Sequence, residues 1–159
     1  MRRARLAFAA LLLLLLAAGC GSSAHVSADA SAVQVIRSWS NALRAGQISR
    51  AAGYFALPST MENGVIIAIH TRAEAVAANE ELPCGAKLLY AAKHGRYITG
   101  VFRLTTRRGP YSDCGTGAGA TAATDFLIAH GRIVEWLRAP NPPSSKGTPT
   151  VSQAPTPVI

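Results

Sequence analysis

The stretch Thr124-Asp125-Phe126-Leu127-Ile128-Ala129-His130-Gly131-Arg132-Ile133-Val134-Glu135-Trp136-Leu137 decides the fold. Two runs rich in β-branched and aromatic residues flank a His-Gly pair. Glycine readily adopts the positive φ of a two-residue hairpin turn, so the stretch reads as two antiparallel strands. A turn at His130-Gly131 sets residue 128 opposite 133, 126 opposite 135 and 124 opposite 137. One face then carries Thr124, Phe126, Ile128, Ile133, Glu135 and Leu137, and the other carries Asp125, Leu127, Val134, Trp136 and Arg138. Neither face is purely apolar, as expected where one side covers a core and part of it forms a pocket rim. Strand alternation sends Asp125 and Glu135 to opposite faces, so at most one of them points inward.

Upstream, Ala86 to Lys93 and Arg96 to Arg107 flank a second pair, His94-Gly95, and read as another hairpin. Arg107 to Gly117, with Pro110, Cys114 and two glycines, is a long connection between the middle strands. The segment before these strands is helical in pattern. Val33, Ile36, Trp39 or Ser40, and Leu43 recur at helical spacing, with Ser31 as a cap and Gly46 just past the end. Ile48 to Phe55 reads as a second short helix stopped before Pro58, and Met61 to Gly64 as a turn. Val65 to Ile69 is a short strand. Thr71-Arg72-Ala73-Glu74 has the spacing of a capping box and opens a helix through about Glu81. Helices followed by a meander of strands predict an α+β domain, with one curved antiparallel sheet whose concave face is covered by the N-terminal helices.

The ends have a different character. Met1-Arg2-Arg3-Ala4-Arg5 is positive and Leu6 to Ala18 is wholly apolar, the order of a secretory signal. As a helix that run reaches roughly 20 Å, short of the roughly 30 Å hydrocarbon core of a bilayer. Leu16-Ala17-Ala18-Gly19-Cys20 resembles the lipobox of bacterial lipoproteins. The resemblance implies cleavage before Cys20 and a diacylglycerol on its sulfur, with further acylation such as palmitate. That places the chain at the extracytoplasmic face of the cell membrane, with the membrane as a partner through the anchor. An ordinary signal peptide with a leftover thiol is the alternative. Residues 1–19 are thus the signal, and 20–30 the lipidated cysteine and a flexible tether. Residues 31–139 are the domain, and 140–159 a Pro/Ser/Thr-rich tail too polar to offset its ordering entropy.

Cleavage leaves 140 of the 159 residues, and loss of Arg2, Arg3 and Arg5 lowers the formal charge from +8 to +5. The remaining cations are scattered, densest at Arg103, Arg107 and Arg108. An exported chain without a recognition motif is not expected to bind nucleic acid. Setting Cys20 aside leaves Cys84 and Cys114 as a pair. Export permits a disulfide, and neither cysteine has a CxxC partner or a histidine at ligand spacing, so a structural disulfide is favoured over a metal or redox site. No cofactor or metal is implied.

The domain resembles the nuclear transport factor 2-like superfamily, including SnoaL-like domains. The carrying residues are the first helix with Trp39 and Leu43, Ala45-Gly46-Gln47, Tyr54-Phe55-Ala56, Asp125 to Ile128, and the Gly131-Arg132-Ile133 step into the last strand. The resemblance implies a cone opening into an apolar pocket, and a homodimer through the outer sheet face. Its members include isomerases, dehydratases and cyclases beside proteins with no known reaction, so the fold alone assigns no chemistry.

An enzyme would use the inward carboxylate, Asp125 or Glu135, as general base, with burial raising its pKa. Tyr54, Tyr90 or His70 would polarise a carbonyl. Each has a plainer reading: Asp125 and Glu135 as rim or salt-bridge residues, His70 as a surface histidine, and His94 and His130 as turn residues. Trp39, Tyr54, Phe55, Tyr90, Phe126 and Trp136 are the candidate pocket lining, and equally candidate core. No Gly-x-Ser-x-Gly elbow, phosphate loop or HExxH pair is present. The sequence therefore favours a lipid-anchored domain that binds a small apolar molecule or serves a structural role. A SnoaL-like enzyme and a protein-docking module, marked by an exposed apolar patch, are the alternatives.

Overall fold

The computed structural model describes residues 24–142, with side chains from residue 30. The signal, Cys20, the first part of the tether and the tail from residue 143 lie outside the described residues. In chain order the elements are α1 (Ala24–Arg44), α2 (Ile48–Ala52), β1 (Phe55–Glu62), β2 (Ile66–Ile69), α3 (Arg72–Glu80), β3 (Cys84–His94), β4 (Tyr97–Thr106), β5 (Thr121–Ala129) and β6 (Arg132–Ala139). The six strands form one sheet in the order β2-β1-β6-β5-β4-β3. The helices pack on one side of it, giving an α+β cone.

The sheet is mixed rather than wholly antiparallel. β1 runs parallel to β6, with Phe55 opposite Ile133 and Met61 opposite Trp136. These two strands are far apart in sequence, so no hairpin turn fixes their direction. β1 itself departs from expectation, since residues 55–62 form a strand where a helix end and a turn were read. Pro58 has no N–H, which argues against a central strand. It is accommodated because the β1–β6 pairing is irregular between Phe55 and Thr60, where the ladder makes no regular demand on it.

α1 begins at Ala24, inside the stretch read as tether, so Ser31 lies within the helix and does not cap it. The core positions follow the spacing: Ile36, Trp39, Ser40 and Leu43 are all buried. Burying an indole removes about 150–250 Å² from water, an upper estimate of about 4–6 kcal/mol at about 25 cal/mol per Å². The Trp39 indole N–H donates to Asn79 Oδ1 at 2.9 Å, and Asn79 Nδ2 donates to Ala75 O at 2.8 Å. That pair locks α1 to α3 without leaving a buried polar group unmet. Past α1, Gly46 has φ 73°, and a Cβ there would sit 2.4 Å from the Arg108 carbonyl oxygen, so only glycine fits.

α3 carries the capping box. Glu74 N donates to Thr71 Oγ1 at 3.2 Å, while Glu74 Oε2 accepts from Thr71 N at 3.0 Å and His70 N at 2.7 Å. Those backbone donors, His70 first, hold the Glu74 carboxyl below its ordinary pKa. The two His-Gly hairpins are not equivalent. In the second, His130 and Gly131 are the two loop residues, with φ 50° and 70°. In the first, His94 pairs with Tyr97, so the loop is Gly95-Arg96 and His94 belongs to the strand.

Candidate functional site

The β5–β6 hairpin starts in the register expected from its turn, Ala129 opposite Arg132 and Ile128 opposite Ile133. It then shifts: Leu127 pairs with Glu135, Phe126 with Trp136, Asp125 with Leu137 and Thr124 with Arg138. Val134 is the extra residue of a β-bulge. Because side chains alternate with period two, one inserted residue exchanges the faces of everything beyond it. The expected pairings of 126 with 135 and 124 with 137 are corrected accordingly. Trp136 and Arg138 join Phe126 and Thr124 on the concave face. Glu135 joins Asp125 on the convex face, so the two carboxylates point the same way and neither enters the cone.

The concave face is aromatic. Trp39 of α1 lies 6.1 Å from Phe102, 5.6 Å from Phe126 and 6.2 Å from Trp136 between ring centroids, each edge to face. Phe102 and Phe126 are 6.0 Å apart in the same manner. Such edge-to-face pairs add about 0.5–1.5 kcal/mol beyond their burial. Gly100 makes room for them, since a Cβ there would approach Phe102 to 2.9 Å and Phe126 to 3.2 Å.

These rings close the narrow end of the cone. Beyond Trp39, Phe102 and Trp136 a cavity of about 290 Å³ opens. Leu43, Leu82, Ala86 and Leu104 supply apolar wall. The small residues Ala120 and Ala122 leave the volume unfilled. Its polar groups are Thr124, Thr121, Arg138, Asn63 and Asn141. Among the described residues the wall holds no carboxylate, histidine or tyrosine. No group of three or more His, Cys, Asp or Glu is placed to hold a metal among the described residues.

Two devices fix the rim. Cys84 and Cys114 form a disulfide with Cα atoms 4.6 Å apart, joining the start of β3 to the long loop after β4. Arg107, only 5% exposed, donates Nε to Leu82 O at 2.9 Å and Nη2 to Glu80 O at 2.9 Å and Tyr111 O at 3.0 Å. It meets the carbonyls at the C-terminus of α3, where a cation is favoured. It also pins the Leu82 edge of the cavity.

Of the six residues read as pocket lining, Trp39 and Trp136 line it. Phe126 lies behind them in the aromatic cluster, and Phe55 is core. Tyr54 packs half-buried against the core, its carbonyl accepting from Ile133 N at 2.8 Å. Tyr90 is 54% exposed beside a register shift in β3. His70 is exposed and uses its backbone N–H to cap α3.

On the convex face, Thr99 Oγ1 donates to Asp125 Oδ1 at 2.5 Å. Tyr97 Oη donates to Glu135 Oε2 at 2.8 Å, and Arg96 bridges Glu135 Oε1 at 2.5 Å. The Glu135 hydrogen bond raises the Tyr97 pKa, with desolvation second. Thr124, Arg138, Asn63 and Asn141 were missed as site residues. Their one sequence signal is the run of small residues before Thr124. Arg138 needed the bulge to be known.

No protein-family model and no curated protein sequence matches the chain. Solved structures do. One is a protein proposed to be a ketosteroid isomerase from Kribbella flavida, at 15% identity and TM-score 0.52, over 80% of this chain and 92% of that one. Another is Bal32a from a soil-derived mobile gene cassette, at 16% identity and TM-score 0.52, over 69% and 88%. A third is a nuclear transport factor 2-like protein of unknown function from Cytophaga hutchinsonii, at 10% identity and TM-score 0.50, over 66% and 85%. At these identities the likeness is one of fold: an α+β domain matching the nuclear transport factor 2-like cone.

Proposed function

We propose that this chain is a lipid-anchored, extracytoplasmic domain that binds a small, mainly apolar molecule in its cone. The observation that carries the binding reading is the cavity beyond Trp39, Phe102 and Trp136, about 290 Å³ and lined mostly by apolar side chains. It lies just below the roughly 300–1,000 Å³ of typical small-molecule sites. The apolar run ending in Cys20 supports the anchor.

A SnoaL-like isomerase, dehydratase or cyclase is the second reading, favoured by the fold shared with the protein proposed to be a ketosteroid isomerase. The described cavity wall offers such an enzyme no carboxylate base and no tyrosine. Asp125 and Glu135 are engaged on the opposite side of the sheet.

One experiment reads both halves of the proposal: mass spectrometry of the full chain extracted from its host in detergent. The denatured mass should begin at Cys20 and carry a diacylglyceryl group. Under native conditions a further small-molecule mass should appear. A denatured mass that retains residues 1–19 or lacks lipid overturns the anchor. Native and denatured masses that agree overturn the binding reading.

A further inference from the structure

We propose that the ligand of the cone is a compact organic monoanion: an apolar ring or branched chain carrying one carboxylate, with the carboxylate at Arg138. This rests on the binding reading above and names its ligand class. Arg138 is the one charged residue in the described cavity wall. It reaches that wall because the Val134 bulge sets it two residues beyond Trp136 and opposite Thr124 on the concave face. Arg138 is solvent-exposed at the cavity mouth, and its guanidinium makes no hydrogen bond or ion pair to the protein among the described residues. The Glu62 carboxylate on the adjacent strand keeps its charge but accepts backbone amides and makes no ion pair with Arg138. Its Oε1 accepts from Gly64 N at 2.9 Å and its Oε2 from Arg138 N at 3.1 Å.

The rest of the polar wall is rich in donors. The Asn141 side-chain oxygen already accepts from Ala123 N at 3.2 Å, which leaves its amide N–H groups for the cavity. Arginine presents a fork of donors that fits a carboxylate in a bidentate manner. With one cation and otherwise neutral groups, the wall balances a single negative charge. A dianion would leave charge uncompensated against the aromatic floor. The apolar body of the ligand then rests on Trp39, Phe102, Leu43 and Leu104.

The chain has two tryptophans, Trp39 and Trp136, and both line the cavity, so intrinsic fluorescence reports its occupancy directly. The test titrates the full chain with 3-phenylpropionate and with its neutral isostere 3-phenylpropionamide. The acid should bind about tenfold or more tightly than the amide. In Arg138→Gln that ratio should fall to about one, with the melting temperature unchanged, and Arg138→Lys should restore part of the preference. Equal binding of acid and amide by the native chain overturns the anion proposal and leaves the cavity a binding site. An acid preference that survives Arg138→Gln overturns the role of Arg138. No response to either probe overturns this proposal together with the binding reading.

Discussion

The two faces of strands β4 to β6 share a backbone and differ in chemistry. Inward, Phe102, Phe126, Trp136 and Trp39 make an edge-to-face cluster under a cavity whose described wall has a cation but no anion. Outward, Asp125 and Glu135 are held by Thr99, Tyr97 and Arg96, beside a small apolar cluster of Val101, Ala123 and Ala139. Carboxylates stay where water and donors offset the cost of keeping them charged. The difference teaches that acidic residues beside aromatic ones in a strand sequence do not make a buried acid. In this chain the adjacent residues are separated by the thickness of the sheet.

The inner face should be the more costly to disturb. Trp39→Ala removes the ring at the centre of the cluster and strands Asn79, and should lose about 3–5 kcal/mol in a denaturant titration. A loss under about 1 kcal/mol would mean the cluster is not the keystone of the concave side. The rim comes next. Replacing Cys84 and Cys114 together by serine should lower stability by about 3–4 kcal/mol, from the entropy of the opened loop. It should also weaken ligand binding, since Cys84 and Leu82 edge the cavity. Unchanged stability of the double variant would show that Arg107 suffices to hold the loop.

The outer face should respond least, and in ionisation more than in folding. Tyr97 has its pKa raised by the hydrogen bond to Glu135. Its contribution to stability is therefore fully present below the unfolded tyrosine pKa and is lost as pH rises through the higher folded value. Glu135→Gln should lower the Tyr97 pKa, read as tyrosinate absorbance in an alkaline titration with Tyr97→Phe as the reference. It should leave the affinity for cavity ligands unchanged. A loss of binding in Glu135→Gln would show that the two faces are coupled.

Much of the fold was legible because local rules carry it. The helical spacing of Ile36, Trp39 and Leu43 holds over that part of α1. Thr71 and Glu74 form the capping box that their spacing announces. His130 and Gly131 turn the last hairpin with the positive φ values the pair invites. What escaped was non-local. β1 pairs with the nearby β2, but its parallel partner β6 lies more than seventy residues away and Pro58 disguises the strand. The site escaped for a related reason. A single bulge at Val134 decides which side of the sheet Glu135, Trp136 and Arg138 occupy, and no residue type in that run announces it.

By itself the sequence determined the core face of α1, the helix α3, the short strand β2, the four later strands, the last hairpin turn and the aromatic content of the core. These follow from periodicity and local φ preferences. The tertiary structure alone decided that β1 joins β6 in parallel, that the cone stays open beyond its aromatic floor, and that its wall presents Arg138 rather than a carboxylate. The reason is register. Alternation along a strand is fixed by the chain, but its phase relative to the core is set only when neighbouring strands pair, and one inserted residue reverses it.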